Sequence, residues 1–152
     1  MTVSIQREKI PGGESICRHI FFPHMYNKFN ELVWMNVFEF PGSQCESTIW
    51  RRYVNRMEDI HRLGCERERE LKATNPEKQY RGAIWARVRD VRRFRNPNNH
   101  GFYLVHEPAE GEHHVHICYH VSPGTQMTKN DKNELKLALK RIFSDVLPHA
   151  CS

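Results

Sequence analysis

The sequence contains no CxxC pair, no apolar run long enough to cross a bilayer and no apolar leader. It also has no Gly-rich phosphate loop, dinucleotide fingerprint or Ser-centred nucleophile elbow. Each absence removes a class. Without CxxC, a zinc ribbon of the usual kind is excluded. Met1 to Pro11 is mixed and polar, unlike a signal peptide, and nothing else approaches a membrane span, so the expectation is a soluble, cytoplasmic protein that does not engage a membrane. With the enzyme signatures missing, no reaction is named by motif. The five cysteines, Cys17, Cys45, Cys65, Cys118 and Cys151, are odd in number and irregular in spacing, and without a secretory signal they read as reduced thiols.

What is present is enough chain for a core and two unusual concentrations of side chains. The 152 residues are expected to form a single domain, 1–152, that folds without staples. The net charge of +5 is unevenly spread: Lys78, Arg81, Arg87, Arg89, Arg92, Arg93 and Arg95 face only Asp90 within one short stretch, and the remainder is close to neutral. Arginine in that density favours planar, bidentate contact with phosphate or carboxylate, against the simpler reading of a charged, solvated edge strand.

The second concentration is His113 to Val121, His-His-Val-His-Ile-Cys-Tyr-His-Val. Side chains alternate along a strand, so one face takes His113, Val115, Ile117, Tyr119 and Val121 and suits a core. The other takes His114, His116, Cys118 and His120, where an ordinary half-buried strand carries Thr, Lys, Glu or Ser.

Around that stretch the pattern predicts an α+β domain, a mostly antiparallel sheet with a C-terminal helix packed on one face and a second helix mid-chain. A short strand at Val3 to Gln6 is followed by strands at Ser15 to Phe22, at Glu31 to Phe40, which is apolar on both sides and so expected at the sheet centre, and at Gln44 to Val54. A helix from about Arg56 to Lys72 places His61 and Cys65 four apart on one face, as metal ligands, as a thiolate with its base, or simply as buried neighbours. Tyr80 to Phe94, Phe102 to Glu107 and His113 to Val121 read as a three-stranded meander. Thr128 with Asp131 caps a final helix running to Leu147, whose apolar stripe should lie on Ile84, Val88, Val115, Ile117 and Tyr119.

If that helix covers one face, the other gathers Trp85, Arg87, Arg89 and the histidines. Three functions follow. The first is a binding module for a phosphate-bearing polyanion, with nucleic acid the best fit, within a larger assembly: Arg87, Arg89, Arg92 and Arg93 pair with phosphates, Trp85 stacks, and His114, His116 and His120 add hydrogen bonds. The second is a phosphodiesterase or nuclease, using His114, His116, His120 and Cys118 as acid, base or nucleophile, or zinc held by His116, Cys118 and His120 with a fourth ligand from His106, His100 or the His61 and Cys65 pair. The third is a structural subunit that meets a protein partner through the same face.

Overall fold

The computed structural model describes residues 6–42 and 44–152. In chain order the elements are β1 (Ser15–Phe22), α1 (Trp34–Val37), β2 (Cys45–Trp50), α2 (Met57–Leu71), β3 (Gln79–Arg87), α3 (Val88–Arg93), β4 (Gly101–His106), β5 (His114–His120), α4 (Lys129–Ile142) and β6 (Leu147–Pro148). The six strands form one sheet in the order β4-β5-β2-β1-β3-β6, every neighbouring pair antiparallel. The fold is α+β, with the C-terminal helix and the mid-chain helix both present. Of the strand expected at Val3 to Gln6, residues 3–5 lie outside the described residues.

Two apolar clusters divide the molecule. The larger joins Ile16, Ile20, Trp50, Ile84, Val115, Ile117 and Tyr119 of the sheet to Leu135 and Leu139 of α4. The smaller sits on the opposite face, where α2 brings Ile60 onto Cys17, Ile49 and Ala83. The alternation along β1 accounts for this split, since Ile16 and Ile20 point to one side and Cys17 to the other. The start of α4 is a complete capping box: the Thr128 hydroxyl accepts from Asp131 N, and the Asp131 carboxylate accepts from Thr128 N. Asn96 and Asn98 donate to the same carboxylate, tying the 96–101 turn to the helix.

Four expectations are corrected. Glu31 to Phe40 is no central strand; it is a connection with one helical turn, α1, laid over the larger cluster, where Val37, Phe38 and Phe40 are buried. Asn30 and Phe40, both at positive φ, turn the chain at either end of this segment, and a segment lying between sheet and helix is apolar on both sides as a buried strand is. The 80–94 strand ends at Arg87, because Val88 N and Arg89 N bond to Glu14 O and Gly12 O and the chain then coils so that Val88 and Val91 share a buried side. The meander is half right: β4 and β5 form the hairpin, but β3 lies on the far side of β1, so β2 and β1 separate it from β5. The last helix also stops at Ile142 rather than Leu147; Ser144 exchanges hydrogen bonds with Trp85, and the chain leaves as β6.

Candidate functional site

The face of β5 that carries His114, His116 and His120 is the face away from α4. The register places Val105 of β4 and Ser47 of β2 opposite His116, with Tyr103 and Cys45 opposite Cys118. Helix α2 covers this face over β1 and β3 and reaches as far as Ile49. Beyond Ile49, β2, β5 and β4 are left without a helix, and Tyr103 is 46% exposed there. On an antiparallel pair the diagonal neighbours stand roughly 7–8 Å apart, which sets Tyr103 between His116 and His120.

A cleft of about 830 Å³ opens between this strip and α2, lined by Ser47, His113, His114 and Glu110 on the sheet side and by Glu66, Arg67, Glu70 and Lys78 on the other. The His113 and His114 rings stack with centroids 4.6 Å apart. Glu110, in the 3-10 turn at Pro108–Glu110, reaches over β5: its Oε2 is 2.9 Å from His116 Nε2 and 3.8 Å from His114 Nδ1. Ser47 Oγ stands 3.4 Å from the same His114 Nδ1. Two imidazoles, a carboxylate and a hydroxyl therefore meet at one point of the strip. Deeper in the cleft His19 donates Nε2–H to Ile60 O over 2.8 Å, and burial pushes its pKa down to about 4, with Arg18, His61 and His113 adding to the shift. Burial and the neighbouring His114 also lower His113. Both are accordingly neutral imidazoles near pH 7.

The other predicted site residues fall elsewhere. His106 faces the core, 3% exposed against Trp50 and Tyr53, and both its ring nitrogens are occupied, Nδ1 by Glu8 N and Nε2 by Glu112 O. It cannot complete a metal site on the opposite face. His100 is buried as well, taking Ser122 N on Nδ1 and facing Asp131 from Nε2 at 3.6 Å. Cys118 is bonded to Cys45 on the next strand, so it offers neither a thiolate nucleophile nor a zinc ligand, and His116 and His120 stand two strand steps either side of it. The expectation of five reduced thiols is likewise overturned: Cys65 is bonded to Cys151, and only Cys17 is free. Cys17 is buried beneath α2, where desolvation raises its pKa to about 11 and removes it as a nucleophile.

The arginine block disperses. Arg87 is exposed at the end of β3, but Arg89, Arg92 and Arg93 belong to α3, whose Val88 and Val91 pack into the larger cluster on the α4 side. Arg92 donates to Ile10 O and Arg93 pairs with Asp90. Trp85 lies partly buried against the smaller cluster, under α2. With two strands between β3 and β5, Arg87 and Trp85 are roughly 14 Å from the histidine row at the usual strand spacing. The single Arg and His face of the sequence reading is thus two regions.

Ser47 and Glu110 escaped the sequence reading because their membership depends on register and loop closure, and of its two register alternatives for β4, Tyr103 or Phe102 on this face, the pairing of Tyr103 with Cys118 selects the first. Among the described residues, no helix is long and apolar enough to cross a membrane. Compared with protein-family models, with curated proteins and with solved structures, the chain matches none of them.

Proposed function

We propose that this protein binds a phosphate-bearing polyanion, with single-stranded nucleic acid the best fit, along the uncovered strip of β2, β5 and β4. The observation that supports this most is the exposed Tyr103 on a sheet face left open by α2, flanked by His116 and His120. An aromatic on an open antiparallel sheet gives a base a surface to stack on, worth about 1–3 kcal/mol per base. The imidazoles beside it serve as hydrogen-bond donors to phosphate, and the cations across the cleft are Lys78 and Arg67, the latter paired with Glu70 at 3.0 Å. Relative to the sequence reading, the phosphate contacts move from Arg89, Arg92 and Arg93 to these two residues.

Tyr103→Ala should weaken binding of a labelled single-stranded oligonucleotide by about 1–3 kcal/mol, roughly five- to 150-fold, without changing the unfolding midpoint. Arg89→Ala on α3 should leave the affinity unaltered. If the two variants bind equally well, the strip is not the binding surface.

A second reading rests on Glu110. A carboxylate 2.9 Å from His116 Nε2 orients that ring, and Ser47 and His114 stand beside it, an arrangement suited to acid-base cleavage of a phosphodiester. On that reading His116→Ala abolishes turnover of a phosphodiester substrate while binding persists; wild-type protein that cleaves neither DNA nor RNA, with or without added divalent metal, removes it. Cytoplasmic placement remains part of the proposal, and the two disulfides count against it, since such bonds persist in oxidising compartments. Thiol counting on protein isolated with alkylation of free cysteines decides the matter.

A further inference from the structure

We infer that Cys65, His149 and Cys151, completed by His61, form a structural zinc site that clamps the C-terminal tail onto α2 whenever the two cysteines are reduced. This site lies away from the histidine strip, and its case does not depend on the function proposed for that strip. Two local periodicities meet there. His61 and Cys65 are four apart on α2 and so share a helix face. His149 and Cys151 are two apart in the tail that follows β6, the spacing at which an extended chain points side chains the same way. Their ligand atoms, those of Cys65, His149 and Cys151, lie within 4.8 Å of one another, the only such group of three among the described residues. The His61 ring lies parallel to that of His149 with centroids 4.4 Å apart, and its Nδ1 pairs with the Tyr80 hydroxyl at 2.7 Å. A metal-bound histidine commonly has its second nitrogen held in this way, which leaves Nε2 for the ion.

The fold brings the tail to this place. Strand β6 pairs with β3 through Gly82 and Ala83, and His149 N continues the ladder to Arg81 O. Gly82, at φ +138, is where the tail comes closest: a Cβ there would lie 2.2 Å from Leu147 O. Gly64, one residue before Cys65, faces Tyr80 so tightly that a Cβ would stand 2.5 Å from its ring. Both glycines let β3, α2 and the tail approach one another around the four side chains. Two thiolates and two imidazoles form the Cys₂His₂ donor set of closed, tetrahedral structural zinc. At Zn–S distances of ~2.3 Å the sulfurs stand ~3.7 Å apart, so side-chain rotation suffices once the sulfur–sulfur bond is open.

The bonded and metal-bound forms exclude each other, because each uses both sulfurs. The disulfide opens by taking two electrons and two protons from two molecules of a small thiol, which couple to their own disulfide, and the two cysteine thiols then lose two protons as their sulfurs coordinate Zn²⁺. Binding therefore tightens as pH rises.

Cobalt(II) is the probe, added to full-length protein reduced and then desalted without oxygen. Wild type should take up about one equivalent and show thiolate-to-cobalt charge transfer with the visible bands of a tetrahedral ion, and zinc should displace it. Cys151→Ser and His149→Ala, both in the tail and remote from the apolar clusters, should lose this spectrum. His61→Ala, which removes one of the four ligands, should weaken binding and alter the tetrahedral bands. A Cys45→Ser, Cys118→Ser double variant should keep the site. Reduced wild type that takes up no cobalt, or a spectrum unchanged in Cys151→Ser and His149→Ala, overturns the proposal.

Discussion

Arg18→Leu and Glu46→Gln are each expected to lower stability by about 3–5 kcal/mol, measured by urea unfolding, whereas the double replacement of both residues by leucine should recover much of that loss. The two side chains, 15% and 11% exposed, meet at 3.1 Å on the core side of the sheet. Removing one partner leaves a buried charge without its counter-ion, which is why the single changes cost more than the pair is worth. Each group has further obligations. Arg18 also donates to Val37 O at 2.8 Å and to Ser47 O at 2.7 Å, and the Glu46 carboxylate accepts from Glu39 N and Phe40 N. The pair therefore fastens the 37–40 segment to β1 and β2, and amide exchange in either single variant should quicken first in that segment. Single variants as stable as wild type would show that the segment is held by apolar packing alone.

The second large effect is acid sensitivity centred on His19. An unfolded histidine titrates near ~6.5, and in the folded chain burial holds His19 at about 4. Between these values the unfolded chain binds more protons than the folded one, so stability rises with pH. The contribution is complete above pH ~6.5 and is lost as the pH falls toward the folded value, at most ~3 kcal/mol in all. The lowered values of His61 and His113 act in the same direction. His19→Gln, which retains a donor for Ile60 O, should flatten most of the slope between pH 7 and pH 4. An unchanged slope in that variant would assign the acid sensitivity to other groups. Asp131, held well below the usual carboxylate range by its Thr128, Asn98 and Asn96 partners, loses its contribution only at lower pH, so the two effects separate on the pH axis.

These two predictions also mark what could and could not be read from the sequence. Period-two alternation placed Ile16 and Ile20 opposite Cys17 and His19, and it separated His114, His116 and His120 from Val115, Ile117 and Tyr119. Helical spacing located α2 within a residue at each end and gave the capping box of α4 correctly. The failures share a cause in contacts between distant parts of the chain. Glu31 to Phe40 is apolar on both sides whether it is a central strand or a cover over the core, and what tells the two apart includes contacts from distant residues, Arg18 to Val37 O and Glu46 to Glu39 N and Phe40 N. Val88 and Arg89 leave the sheet because residues 12–14 capture their amides. Strand order put β3 on the far side of β1, dividing the arginines from the histidines. The cysteine pairs span 73 and 86 residues, and spacing alone does not reveal such pairings.

The central claim is that the strip of β2, β5 and β4 takes a phosphate-bearing strand, and its most direct test is oligonucleotide affinity at two salt concentrations, read by fluorescence anisotropy. For contact with about three phosphates of a single strand, raising monovalent salt from ~50 to ~200 mM should weaken wild-type binding roughly ten- to twentyfold, and Arg67→Ala with Lys78→Ala should reduce that dependence. Affinity that is absent, or that does not change with salt, would contradict the account.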